Sequence, residues 1–246
     1  MYAVPADQLT TLLVAGLAAF ALALLSAVAG FGGGVLLLPV FTALFGLRAA
    51  VPMLTLTQLS SNAARVWLNR HDLRWRLIGW FALGAVPFAI AGGLLLAHAP
   101  LAPLKRGLGA LLIVVVVWRR LRPHVRKPPD PAFAGVGAVS GLGSALLGSV
   151  GPLTAPFFLA YGLTRAAYIG TEAGSALVMH LAKLGAYGAG DLLTSTVLLY
   201  GVVLTPATLA GAWAGKKIVG RISDRVFVAL VEIGLLAAGV LFLAGL

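Results

Sequence analysis

The chain has 246 residues, of which 60% are hydrophobic and only 10% are charged, and its mean hydropathy is +1.01. Soluble domains are roughly half apolar and about a quarter charged, so this composition excludes a soluble globular domain and indicates an integral membrane protein. The formal net charge is +11, but the basic residues are dispersed between apolar runs, which argues against a nucleic-acid-binding face. Cysteine is absent and the four histidines show no metal-binding spacing, so neither a metal nor another cofactor is expected.

Ten apolar segments follow one another along the chain. A spanning helix needs about 20 residues, because the hydrocarbon core of a bilayer is about 30 Å thick. The first segment ends in small residues, but no Lys or Arg precedes it, which argues against a cleaved signal peptide. The predicted segments are residues 10–30, 33–46, 49–69, 76–97 and 103–121, then 132–148, 151–162, 166–188, 193–214 and 226–245.

The second half of the sequence repeats the first. A shift of 117 residues aligns Pro39 with Pro156 and Arg48 with Arg165. Matched prolines and arginines in one order are harder to obtain by chance than matched alanines or glycines. A loop rich in proline and charge joins the two halves. The predicted units are a first repeat at residues 1–122, a cytoplasmic linker at 123–131 and a second repeat at 132–246.

The basic residues of the loops indicate how many segments cross the membrane. The second and seventh segments are short, so they either span or re-enter on one side. If all ten cross, thirteen loop Lys and Arg residues lie on one side and three on the other, whereas two re-entrant segments divide them eight to eight. The positive-inside rule therefore favours ten crossings, with both termini outside the cytoplasm. Because each half has five segments, the second half then enters the membrane inverted, as in many secondary transporters.

The predicted fold is an all-α polytopic protein of the inner (plasma) membrane. It has two inverted-topology repeats of five helical segments each, with about eight full spans plus two short broken segments. Whether those two segments span or re-enter is left open by the sequence.

Two glycine-containing stretches interrupt the apolar pattern at equivalent places. They are GFGGG at residues 30–34, followed by Pro39, and GSVGP at residues 148–152, followed by Pro156. In lipid, irregular backbone survives only where protein buries it or a cavity admits water or ligand. The short helices that follow would present N-terminal amides, whose partial positive charge favours an anion. The alternative is that the glycines only permit tight turns or close helix packing.

Polar residues on the third segment of each repeat predict the walls of a binding site. One helix face of the first repeat carries Thr55, Gln58, Asn62 and Arg65, spaced by three or four residues. The equivalent stripe of the second repeat carries Glu172, Ser175, Met179, His180 and Lys183. An Arg or Lys at the centre of a membrane helix costs about 2.5 to 3.5 kcal/mol, so it usually faces a partner or an aqueous path. Arg65 and Lys183 are therefore predicted to clamp an anion; the alternative is that each side chain extends to the nearer membrane surface.

Three residues are candidates for carrying a coupling proton: Glu172, His180 and Asp191. Each also has a structural interpretation. Glu172 would lie at the inner interface beside Arg165, His180 would be a packed helix residue, and Asp191, like Asp72, would cap the following helix. No nucleophile and base occur with a supporting motif, so no catalytic residue is predicted and the chain is not expected to be an enzyme.

The glycine-rich break with a proline five residues on, present in both halves, resembles the sulfite exporter TauE/SafE family of membrane permeases. Its most specific part is GFGGGVLLLPV at residues 30–40, whereas the second copy, GSVGPLTAPFF at 148–158, has two glycines fewer. The resemblance implies transport of a small sulfur-containing anion, such as sulfite or a sulfonate, across the cytoplasmic membrane. The motif positions carried over as substrate-binding are Gly32, Gly33, Gly34, Pro39, Gly151 and Pro156.

The expected function is secondary transport of a small anion by alternating access between the two inverted halves. Export is favoured over import, because an inside-negative potential of about 100 mV drives a monovalent anion outward by about 2.3 kcal/mol. The rival functions are an anion channel and a non-transporting membrane scaffold or assembly protein. The expected partners are the anion and bilayer lipid, with no nucleic acid, and the sequence leaves open whether the chain forms a homodimer.

Overall fold

The computed structural model of the protein describes residues 34–98, 100–121, 127–148 and 160–218, with 10, 13–21, 24, 154, 157, 158, 233, 236, 239, 240, 243 and 244. Seven helices lie in the four continuous ranges, and these ranges contain no strand. They are α1 (Gly34–Phe45), α2 (Leu47–Leu68), α3 (Trp75–His98), α4 (Leu101–Leu121), α5 (Ala132–Leu147), α6 (Arg165–Ala189) and α7 (Ser195–Ile218).

The all-helical prediction is confirmed, and the bounds of these seven helices agree with the predicted segments to within four residues. About half of the first and seventh predicted segments and most of the tenth lie outside the described residues.

One helix among the described residues, α3, is long and apolar enough to cross a membrane by length and composition alone. Shorter apolar stretches lie in α5 and α7. Helices α2 and α6 have 22 and 25 residues, but polar side chains interrupt their apolar surface, so hydropathy alone does not mark them as spans. Large apolar side chains such as Leu83, Val139 and Val202 are exposed on α3, α5 and α7, which suits contact with lipid.

Helices α3 and α5 run parallel and make the most extensive helix contact in the described ranges. Glycines line both sides of this contact. A Cβ atom added at Gly84 would overlap the carbonyl oxygen of Ala134, and one added at Gly137 would overlap that of Phe81. The two backbones therefore approach closely enough that only glycine fits, which is the small-residue packing typical of membrane helices.

Helices α2 and α6 pack against each other in opposite directions. Arg65, in the last turn of α2, contacts Glu172 near the start of α6. Thr55, in the first half of α2, lies beside the hydroxyl of Tyr187 near the end of α6. Helix α3 packs on α6 and α7 packs on α2, so the α2–α6 pair lies at the centre of these four helices.

A polar cluster joins the linker to α3 and to the turn before α6. The carboxylate of Asp130 accepts a hydrogen bond of 2.7 Å from the Tyr161 hydroxyl and lies 2.9 Å from Arg76 Nε. Helix α5 carries the chain 16 residues, about 24 Å, away from this cluster before it ends at Gly148. Gly148 and Tyr161 therefore lie at opposite ends of α5.

Alanine at Gly137 should destabilise the protein. The added Cβ would meet the backbone oxygen of Phe81, which cannot rotate away, and overpacking of this kind costs about 1 to 3 kcal/mol. The matched control is Gly135→Ala on the same helix, where no atom lies within 4 Å of the added Cβ. This variant should be neutral or slightly stabilising, because alanine is the better helix former. Thermal unfolding in detergent measures both, and equal melting temperatures would contradict the close approach of α3 and α5.

Candidate functional site

Two polar stripes lie on α2 and α6 within the bundle. The predicted site residues of these stripes that are buried are Thr55, Gln58, Asn62, Glu172, Ser175, Met179, His180 and Lys183. The side chain of Arg65 is 24% exposed. The three- and four-residue spacing of the sequence thus marks helix faces that neighbouring helices cover.

Arg65 and Glu172 form an ion pair between the two stripes. Arg65 Nη1 lies 3.2 Å from Glu172 Oε2, and the side chain of Glu172 is only 7% exposed. This single contact is weaker than the bidentate arrangement that a guanidinium can make with a carboxylate. Arg65 Nη2 also donates to Asn62 Oδ1, whereas Arg65 Nε is buried without a hydrogen-bond partner among the described residues. One of the three guanidinium nitrogens therefore lacks an acceptor within the described ranges.

Lys183 is fully buried, and its ammonium group caps the C-terminal end of α5. Its Nζ donates to Ser144 Oγ at 2.9 Å, to the Ser144 carbonyl at 3.2 Å and to the Gly148 carbonyl at 3.0 Å. An ammonium group has three donors, so all of them are used. The last turn of a helix carries unpaired carbonyls and a partial negative charge, which compensates the buried cation without a carboxylate.

Side chains of α6 hold the residue at which the second glycine break begins. Gly148, which ends α5, has a φ of +78° that favours glycine, and its α-carbon faces Leu54 of α2. The Tyr187 hydroxyl donates to the Ala145 carbonyl at 2.7 Å. Tyr187 follows Lys183 by one helical turn, so two side chains of α6 hold the last turn of α5.

The other positions of the glycine and proline motif are described only in part. Gly34 is the first residue of α1 and Pro39 lies within that helix. Gly32, Gly33, Gly151 and Pro156 lie outside the described residues. Their predicted contact with a substrate stays a prediction.

Besides Arg65 Nε, three buried polar atoms on the stripes have no hydrogen-bond partner within the described ranges. They are Gln58 Nε2, Ser175 Oγ and His180 Nδ1. An unpaired buried polar group costs about 1 to 3 kcal/mol, so each one indicates a partner such as water or a ligand. Gln58 and Ser175 are equivalent under the shift of 117 residues, and both can donate a hydrogen bond to an anion. His180 lies within electrostatic range of both Lys183 and Arg65.

Asp191 lies apart from the stripes. It is exposed in the turn after α6 and has a φ of +57°. The residue that caps α7 is Thr194, whose Oγ1 accepts a hydrogen bond of 3.2 Å from the N–H of Val197. The interpretation of Asp191 as a helix cap is therefore wrong, because Thr194 stands directly before the helix. A coupling role for Asp191 has no support from its position.

Two residues of this site carried no motif in the sequence: Ser144 and Tyr187. Ser144 lies four residues before Gly148, the first residue of GSVGP, and Tyr187 shares the stripe spacing with Lys183. A search near the helix break for hydrogen-bond acceptors that could pair with a buried lysine would have found Ser144. The Arg65–Glu172 pair has no such signal, because it depends on which helices are neighbours.

Methionine at Lys183 should lower the melting temperature of the purified protein. The change removes the three hydrogen bonds that Lys183 donates to Ser144 and Gly148 inside the bundle, where a lost hydrogen bond from a charged donor costs about 1.5 to 3 kcal/mol. The matched control is Leu181→Ala on the same helix, because Leu181 is exposed and should contribute little. An unchanged melting temperature for Lys183→Met would contradict the capping role.

One family of known proteins matches most of the chain. The family model described as "Sulfite exporter TauE/SafE" matches residues 15–242, which include both glycine breaks and both polar stripes. No curated protein and no solved structure matches the chain. The resemblance carried by GFGGGVLLLPV is thereby confirmed: the chain belongs to the sulfite exporter TauE/SafE family of membrane transporters.

Proposed function

We propose that this protein is a secondary transporter that exports a small anion, a sulfur oxyanion or an organosulfonate, across the inner membrane by alternating access. The observation that carries the proposal is the guanidinium of Arg65, which lies between α2 and α6 with an unused donor. Sulfite and sulfonate groups present three oxygens in a compact pyramid. Such a group can accept hydrogen bonds from a guanidinium fork and from neutral donors at the same time.

The proposed binding site follows the two stripes. Arg65 is the main cation, and Gln58 and Ser175 supply donors that have no partner within the described ranges. Asn62 orients Arg65 through its side-chain oxygen, and Thr55 lies further along the same face. Lys183 adds positive charge to the interior while its own donors hold α5. The glycine breaks at Gly32–Gly34 and Gly151 are proposed to offer backbone amides.

The inverted arrangement of the repeats is part of this proposal. Its support is that α2 and α6, the third segments of the two repeats, run antiparallel. The contacts between repeats are also reciprocal, because α3 packs on α6 and its equivalent α7 packs on α2. The positions of Gly148 and Tyr161 at opposite ends of α5 support a seventh segment that crosses rather than re-enters.

The cysteine-free chain allows the orientation to be tested directly. In the proposed arrangement the exposed turn at Asp72 faces the cytoplasm and the exposed turn at Asp191 faces outward. We expect a membrane-impermeant maleimide to label Asp191→Cys in intact cells and Asp72→Cys only in inside-out vesicles. The cysteine-free parent is the control for background labelling. Labelling of both variants from one side would contradict the inverted repeats.

Arg65→Gln should abolish anion flux without reducing the amount of protein in the membrane. The matched control is Arg70→Gln, because Arg70 is exposed and lies over the Trp67 ring at 4.7 Å, away from the stripes. Flux is measured in proteoliposomes with radiolabelled sulfite and with a radiolabelled sulfonate. Undiminished flux through Arg65→Gln would remove this residue from the site.

The same proteoliposomes separate a transporter from a channel. A transporter shows saturation and faster uptake when unlabelled anion is present on the opposite side. A channel shows conductance without that stimulation. A thermal-shift screen with sulfite, sulfate, thiosulfate, sulfonates and carboxylates then ranks the substrates, because a ligand stabilises the state that binds it.

A further inference from the structure

We propose that Glu172 is an internal competitor of the transported anion: its carboxylate occupies Arg65 while the site is empty, and the anion displaces it. This inference rests on the proposed function and names the residue that controls anion binding at that site. It makes Glu172 a residue that determines which anions can bind and at which pH.

The geometry of the pair makes displacement favourable. Glu172 uses one oxygen and one guanidinium nitrogen at 3.2 Å, while Arg65 Nε has no partner within the described ranges. An oxyanion with three oxygens can contact Nε and a terminal nitrogen together, and bidentate charge-assisted hydrogen bonds are the stronger kind. The side chain of Arg65 is 24% exposed although Nε is buried, so in this proposal the anion approaches the exposed part of the side chain and contacts Nε as the carboxylate moves away. An anion from solution therefore displaces the carboxylate if it accepts hydrogen bonds from both Nε and a terminal nitrogen of Arg65.

The displaced carboxylate needs compensation, because an unpaired charge is costly at a buried position. The groups that face Glu172 are Arg65 of α2 and Tyr168, one turn earlier on α6. From the turn before α3, the backbone N–H of Arg74 donates to Thr171 Oγ1, and the Arg74 side chain is exposed. Arg65 is the one cation that forms an ion pair with Glu172 among the described residues. The carboxylate therefore takes up a proton as Arg65 turns to the anion, and binding strengthens as the pH falls.

Binding of methanesulfonate to purified protein in detergent tests this inference. Methanesulfonate is the probe because it exchanges no proton near neutral pH, unlike sulfite. We expect Glu172→Gln to bind it about tenfold more tightly than the unchanged protein, which corresponds to about 1.4 kcal/mol. Affinity of the unchanged protein should rise from about pH 8 to about pH 6, a range in which Glu172→Gln should show constant affinity. The matched control is Asp72→Asn, which removes an exposed carboxylate from a turn and should behave as the unchanged protein.

A second measurement covers the case in which Glu172→Gln is poorly stable. Removing the carboxylate leaves Arg65 without its partner. In a buffer whose anion is the bulky gluconate ion, Glu172→Gln should therefore melt at a lower temperature than the unchanged protein. Methanesulfonate should restore the melting temperature of Glu172→Gln, and it should have a much smaller effect on the unchanged protein. It should have no effect on the double variant Arg65→Gln/Glu172→Gln.

The outcomes separate this inference from the proposed function. Suppose that methanesulfonate or sulfite binds the unchanged protein. If Glu172→Gln then binds it no more tightly, keeps the same pH dependence or does not regain its melting temperature with the anion, the competition is refuted while the proposed transport function is retained. If neither the unchanged protein nor Glu172→Gln binds or transports any sulfur anion, the proposed function itself is refuted. Tighter binding by Glu172→Gln with loss of the pH dependence establishes the competition.

Discussion

A charge buried in a membrane helix bundle needs a partner, and the centre of this structure satisfies that requirement in two ways. Arg65 is paired with the Glu172 carboxylate, whereas Lys183 is paired with the carbonyls at the end of α5. The difference has a consequence for function. A carboxylate can be protonated or displaced, but a helix end cannot, so one cation of the site is switchable and the other is fixed.

The two polar stripes differ in charge. Under the shift of 117 residues, Thr55 aligns with Glu172, so the acidic residue occurs in one stripe only. The neutral donors Gln58 and Ser175, in contrast, are equivalent, and both are without partners within the described ranges. The proposed anion site therefore has equivalent neutral donors on both stripes but a carboxylate on only one of them.

The sequence predicted the helices and the stripes but not the pairings between them. Apolar runs and the 3.6-residue period are local properties, so the bounds of α1–α7 and the buried faces of α2 and α6 could be inferred. The Arg65–Glu172 pair joins positions 107 residues apart, and it exists only because α2 packs on α6. Lys183 likewise caps α5 through Ser144 and Gly148, which lie 39 and 35 residues before it in the sequence. No local pattern predicts that α5 and α6 are neighbours. Asp191 was misread because Thr194, three residues later, is the better-placed cap.

The tight contact between α3 and α5 limits how the proposed alternating access can occur. These helices belong to different proposed repeats, yet their backbones approach so closely that a Cβ atom does not fit at Gly84 or Gly137. Packing of this kind has one favourable arrangement, because sliding would bring side chains against the facing backbone. The proposed movement therefore keeps α3 and α5 together, so the bodies that move do not coincide with the proposed repeats. Gln58 Nε2, Ser175 Oγ and His180 Nδ1 have no hydrogen-bond partner within the described ranges, so the α2–α6 interface is where the proposed bodies would separate around an anion.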